Sequence, residues 1–169
     1  MAGKWSYWLK QIVQTAAVVM LVAVAVDWRR KPQQPLTFAQ TEWQTMAGVP
    51  VTLAELSRNR TVAVYFWGSW CGVCRHTSPV FECLYQNGVP VLGVALQSGS
   101  ADEVSAYMQS RDLSFDNVND PSGQIAGQWQ IKVTPTIVMV KDGKMVHHTT
   151  GLSSYWGLRS RIWLIDWLY

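Results

Sequence analysis

The chain has 169 residues, of which 49% are hydrophobic and 15% charged, with a formal net charge of +3. That length holds one domain and an appendage, and the apolar surplus is concentrated near the N-terminus rather than spread along the chain. The basic balance comes without a basic cluster interleaved with aromatics, which argues against nucleic acid as a partner.

Ile12 to Val26 carries no charge, and Trp5, Trp8 and Trp28 flank it. From Trp8 to Trp28 a helix runs about 30 Å, the thickness of a bilayer's hydrocarbon, with interfacial tryptophans at both ends. Residues 1–30 are therefore expected to be a short tail and a transmembrane anchor. The competing reading is a cleaved secretory signal, with Lys4 and Lys10 as its charged start and Ala23-Val24-Ala25 as its cleavage site. The charged run Asp27-Trp28-Arg29-Arg30-Lys31 is an awkward start for a mature chain and a natural interfacial flank, which favours the anchor. A buried soluble helix is the third reading, because the uncharged run is only about 15 residues long. Charges on the two sides balance, so they do not orient the segment. Three cysteines are too few for a structural disulfide framework and do not fix the compartment.

Residues 31–40 are rich in Pro and Gln and read as a linker, since Pro32 and Pro35 stop any continuing helix. Residues 41–169 then form the domain. Val49 and Val51 about Pro50 predict a short peripheral hairpin or strand. Val62 to Trp67 is an apolar run of strand length, followed by a Gly68-Ser69 break and then Trp70-Cys71-Gly72-Val73-Cys74. This reads as strand, turn and first helical turn. Two cysteines at i and i+3 can close into a disulfide. The first sulfur then faces the free amides and positive end of the helix, which favours its nucleophilic thiolate.

The spacing predicts a helix from Cys71 to about Tyr85, kinked by Pro79 and stopped at Asn87-Gly88. Val89 to Leu96 is a continuous apolar run, the pattern of a strand buried in a parallel sheet, so strand, helix and strand form a right-handed βαβ unit. Ser100 caps a helix running to about Arg111, and Asp120-Pro121 opens a short one to about Trp129. Thr136 to Lys141 and Lys144 to Thr150 form a hairpin about Asp142-Gly143. A helix from about Ser153 to Tyr169 closes the chain. Its Trp156, Trp163, Trp167 and Tyr155 are expected in the core, against an interfacial helix with Arg159 and Arg161 on its polar side. The order describes an α/β protein with the thioredoxin fold, a central mixed sheet flanked by helices.

Tyr65 to Cys74 is similar to the active-site strand and loop of thioredoxin-like proteins, and Val133-Thr134-Pro135-Thr136 resembles the loop whose cis proline sits beside their cysteines. The anchor, Cys71 to Arg75, Asn119 to Gly123 and Ser154 to Arg159 resemble the suppressor-of-copper-sensitivity D type of the TlpA-like branch, linked to copper tolerance. That resemblance covers nearly the whole chain. It implies a thiol-disulfide oxidoreductase acting on protein thiols and disulfides, held in a bacterial inner membrane by a single pass, with a cytoplasmic tail and the catalytic domain in the periplasm. A membrane redox partner is implied with it, and no cofactor.

Carried over position by position, Cys71 is the attacking cysteine and Cys74 the resolving one, closing their disulfide within the chain. Pro135 is the cis proline; its missing N–H leaves the Thr134 backbone free to pair with a substrate strand. Trp70 offers that substrate an apolar wall, while Trp67 is read as core. The chain departs from the family in two places. Tyr65 stands where thioredoxins usually keep a buried acid, and Gln97-Ser98-Gly99 where TlpA-like reductases often carry a glutamate. Proton transfer then falls to water or to more distant groups such as Asp102 and Glu103. Gly72-Val73 leaves the direction of electron flow open, and Arg75 and His76 would favour the Cys71 thiolate. Haem attachment needs His directly after the second cysteine, where Arg75 stands. A non-enzymatic Cu(I)- or Zn(II)-binding or interaction module using the same pair is the alternative. No fourth ligand is spaced nearby, and His147 and His148 point to opposite faces of a strand, so no metal site is assigned. Cys83 is read as a small buried hydrophobe rather than a regulatory thiol.

Overall fold

The structure, a computed structural model, describes residues 2–169. The side chains of residues 2–7, 9, 23, 24, 27 and 28 lie outside the described residues, and the expectations placed on Lys4, Trp5, Ala23, Val24, Asp27 and Trp28 lie there with them. The chain divides into two compact units, Met1–Lys31 and Pro32–Tyr169.

The first unit is one helix, α1, Ala2–Arg30, with Arg29 and Arg30 in its last turn, where cations meet the negative end of the helix dipole. Among the described residues no helix is long and apolar enough to cross a membrane.

In the second unit, β1 (Glu42–Gln44) and β2 (Pro50–Thr52) form a small antiparallel pair in which Trp43 faces Val51. Thr52 caps the one-turn α2 (Leu53–Leu56). Then follow β3 (Thr61–Trp67), α3 (Cys74–Gln86), β4 (Val91–Leu96), α4 (Ala101–Gln109), β5 (Asp116–Asp120) and α5 (Gln124–Gln128). The hairpin β6 (Thr136–Lys141) and β7 (Lys144–Thr150) and the helix α6 (Tyr155–Leu168) complete the chain. The sheet order is β5-β4-β3-β6-β7. Strands β3, β4 and β5 run parallel, and β6 and β7 join antiparallel. This is the expected mixed sheet.

Every residue of β3 is buried, because the alternation of a strand sends its side chains into two separate cores. Ala63, Tyr65 and Trp67 join Phe81, Leu84, Val104, Leu158 and Ile162 on one face. Val62, Val64 and Phe66 join Phe38, Trp43, Ala126 and Trp129 on the other.

Several elements differ from the sequence expectation. The helix after the motif begins at Cys74, not Cys71. Strand β5 was not expected; its Asp-Asn-Val-Asn-Asp sequence has no strand signature, and pairing with β4 creates it. Asp120 ends that strand, and its carboxylate accepts the N–H groups of Ile125 (3.2 Å) and Ala126 (2.9 Å), so α5 starts at Gln124 instead of Pro121. The stretch expected to be a linker is docked from its start. Gln33 N–H donates to Trp129 O at 3.0 Å, and Phe38 is buried edge-on against Trp129. An aromatic in a Pro- and Gln-rich stretch finds a pocket that only the fold provides. In α6, Leu158, Ile162 and Ile165 are buried, whereas Trp156, Trp163 and Trp167, expected in the core, are exposed. The three tryptophans are therefore not core.

Candidate active site

Strand β3 ends at Trp67, and the chain turns through Gly68 to Val73 into α3. Cys71 N–H closes this turn on Gly68 O at 3.1 Å. Cys71 and Cys74 are joined in a disulfide with Cα atoms 5.2 Å apart. The N–H of Cys74, one of the unpaired amides of a helix start, points at Cys71 Sγ from 3.2 Å. Cys71 is 5% exposed and Cys74 fully buried, so Cys71 is the outer sulfur.

The loop is pinned by the end of β4. Ser69 N–H donates to Ser98 Oγ (3.0 Å), and Ser98 Oγ–H donates to Leu96 O (3.0 Å). Trp70 Nε1–H donates to the same carbonyl at 3.0 Å while 57% of the residue stays exposed. A Cβ on Gly68 would lie 2.7 Å from the Trp70 ring, so glycine is required for the ring to lie there. Ser98 was missed from sequence; a polar residue just after a strand gives no sign of which loop it will hold.

Thr134-Pro135 is a cis bond. Phe66 pairs with Thr136, so this loop and the cysteine loop leave adjacent strands at the same end of the sheet. Gly151 N–H donates to Pro135 O (2.9 Å), and Thr136 Oγ1–H to Val133 O (2.7 Å), holding the loop at its β6 end. Trp67 is fully buried with its Nε1–H on Asn117 Oδ1 (2.9 Å), as core.

Tyr65 is fully buried, its ring stacked on Phe81 at 4.0 Å and its hydroxyl 3.0 Å from Ser78 Oγ, one helical turn past Cys74. Burial pushes the phenol well above its usual range, and the Ser78 bond only partly offsets it. Tyr65 therefore stays protonated; it is a hydrogen-bonding group and not a base. Glu103 is committed to a capping box, accepting Ser100 N–H at 2.7 Å, and that bond holds its carboxyl below the usual range. This removes Glu103 from the groups expected to take a proton from the cysteines. Arg75 and His76 are exposed in the first turn of α3.

The buried acid of this half of the domain is Glu82. It accepts Ser114 N–H (2.6 Å), Ser114 Oγ–H (2.5 Å), Phe115 N–H (3.2 Å) and Gln86 Nε2–H (2.9 Å). Burial raises its pKa, but these bonds outweigh burial and lower it overall. Cys83, expected in the core, is exposed, because α3 turns that position away from the sheet. Among the described residues no group of three or more His, Cys, Asp or Glu side chains is placed to hold a metal ion.

The AhpC/TSA family profile matches residues 34–149, which include both cysteines and Pro135. A thioredoxin-like protein of Haemophilus influenzae is 40% identical over 158 residues, 94% of this chain and 95% of that protein. The thiol-disulfide oxidoreductase ResA of Bacillus cereus is 29% identical over 115 residues, 63% of each chain. A secreted disulfide oxidoreductase of Mycobacterium tuberculosis shares the fold with a TM-score of 0.64 at 19% identity, covering 76% of this chain and 98% of that one. With its CxxC disulfide set at the mouth of a thioredoxin-like sheet, this chain belongs to the AhpC/TSA family and is a thioredoxin-like thiol-disulfide oxidoreductase.

Proposed function

We propose that the chain exchanges electrons with protein thiols and disulfides outside the cytoplasm, held to the inner membrane by residues 12–26. The observation that carries the chemistry is the Cys71–Cys74 pair at the start of α3, the outer sulfur under the Cys74 N–H. Cys71 thiolate attacks a substrate disulfide, forming a Cys71–substrate bond and releasing one substrate thiolate. Cys74 then attacks Cys71 Sγ, closing the internal disulfide and releasing the second thiol; two electrons pass to the substrate. The reverse sequence oxidises a substrate dithiol, and the reduction potential of the pair decides which direction operates. Thr134 and Pro135 line the approach with their backbone, and Trp70 supplies an exposed apolar wall beside Cys71. A membrane redox partner would restore the pair. The uncharged run Ile12 to Val26 and its basic flank support the anchor, and the motif resemblance supports the periplasmic side and the copper-sensitivity branch.

Cys74→Ala tests this reading. The variant should accumulate mixed disulfides through Cys71, visible as adducts on non-reducing gels and released by reductant. A variant that traps no protein, with a Cys71 no more reactive than free cysteine, refutes it.

A further inference from the structure

Trp70 is more than half exposed, yet its ring is tied down. The tie runs through one hydroxyl and one carbonyl. Ser69 N–H can only donate, so Ser98 Oγ accepts it (3.0 Å) and sends its own proton onward to Leu96 O (3.0 Å). Trp70 Nε1–H takes the second lone pair of that same oxygen at 3.0 Å. The backbone before Cys71 and the ring beside it are thereby fixed to one point at the end of β4. Packing closes the other side, because a Cβ on Gly68 would stand 2.7 Å from the indole.

The segment that carries Ser98 is held in a conformation its residues do not prefer. Gln97 has a φ of 45°, in the left-handed region, and a non-glycine residue stays there only where its surroundings enforce it. Gln97 N–H donates to Asp120 O (2.9 Å), Asn119 Nδ2–H donates to Gly99 O (3.0 Å), and Ser100 opens the capping box of α4. An extended chain would carry Ser98 two residues beyond Leu96 and out of reach of its carbonyl. The turn at Gln97 brings the hydroxyl back over it. Cys71 itself is set by two other bonds, Cys71 N–H to Gly68 O and Cys74 N–H to Cys71 Sγ, and neither passes through Ser98. The hydroxyl therefore acts on the wall beside the sulfur and not on the sulfur.

We propose that Ser98 is a specificity-determining residue of the exchange reaction, which locks the Trp70 ring before substrate arrives so that a protein disulfide meets a rigid apolar wall beside Cys71. This rests on the exchange reading above and names the residue that decides how well a protein substrate is held. An exposed indole hydrogen bond competes with water, so without the Ser98 link the ring and the Ser69 backbone must be ordered each time a substrate binds. That cost falls on binding of a substrate large enough to lie on the ring, and leaves the chemistry at Cys71 unchanged.

Steady-state reduction of insulin by the full chain, with dithiothreitol as donor, tests this. Ser98→Ala should raise KM for insulin about fivefold, with kcat and the alkylation rate of reduced Cys71 by iodoacetamide held within about twofold of wild type. Ser98→Thr, which keeps the hydroxyl, should restore the wild-type KM. Gly68→Ala, which displaces the ring and leaves Ser98 untouched, should raise KM to a similar degree, and it decides alone should Ser98→Ala not fold. Ser98→Ala added to Trp70→Ala should raise KM no further than Trp70→Ala alone. A wild-type KM in Ser98→Ala and Gly68→Ala, a joint fall of kcat and Cys71 alkylation, or full additivity with Trp70→Ala means that the hydroxyl does not act through the ring; the proposal then fails while the exchange reading stands. If wild type reduces neither insulin nor bis(2-hydroxyethyl) disulfide, the exchange reading fails and the proposal falls with it.

Discussion

Helix α3 has a cysteine near each end, and the two ends give sulfur opposite surroundings. At the start, Cys71 is 5% exposed and receives the Cys74 N–H at 3.2 Å, from the electropositive end of the helix. One turn before the other end, Cys83 is exposed, and its carbonyl accepts Asn87 N–H (3.1 Å) and Asn87 Nδ2–H (2.8 Å), while its sulfur meets Asn87 Nδ2 only at 3.6 Å. Exposure alone would rank Cys83 as the reactive thiol. The helix field ranks them the other way, because the thiolate is the nucleophile and only one end stabilises it.

The sharpest way to break this contrast is to remove each sulfur in turn. Cys71→Ser should drop disulfide reduction, followed with dithiothreitol as electron donor, to the uncatalysed background, while Cys83→Ser keeps the wild-type rate. Activity surviving the first change, or lost with the second, would invert the ranking.

Next in size is Glu82, beside Cys83 on the same helix, which ties that end to the Ser114-Phe115 loop. Glu82→Ala should cost about 2–4 kcal/mol in urea unfolding, since it strands buried N–H donors, yet leave the exchange rate per folded molecule unchanged. The carboxyl is lowered in the folded state, so its stabilisation is complete above the unfolded value of about 4.3 and disappears as pH falls through the folded value. The stability gap between wild type and Glu82→Gln should therefore close in acid.

In the reduced protein, Cys71 should be alkylated by iodoacetamide roughly tenfold faster than Cys83 at neutral pH, resolved by peptide mass spectrometry. Equal rates would mean that the helix start does nothing for the thiolate. The smallest effect is expected from Tyr65→Phe, about 1 kcal/mol for the lost Ser78 bond, read by thermal unfolding. A larger loss of exchange activity than of stability would show the hydroxyl acting on Cys74 itself.

Much of the site was legible because its signals are local. Apolar Val62 to Trp67, a Gly68-Ser69 break and two cysteines at helical spacing define strand, turn and helix within a dozen residues. The Ser100 cap and the Asp142-Gly143 hairpin were readable for the same reason. Ser98, which holds the cysteine loop, was not readable, because its partner Ser69 lies 29 residues away and any short polar side chain there looks like loop.

The sequence by itself determined the cysteine pair at a strand-to-helix turn and the order of elements that gives the fold class, while the proline loop beside the pair came from the resemblance to thioredoxin-like proteins. The first two follow from residue type and spacing within single elements and turns. Only the tertiary structure decided that polar Asp116–Asp120 is a strand, that Phe38 docks the expected linker, that Cys83 is exposed, and that the tryptophans of α6 face outward. The physical reason is common to all four. Each depends on which surface of another element is left to pair or pack against, and an amphipathic pattern with two apolar sides does not say which side the sheet will take.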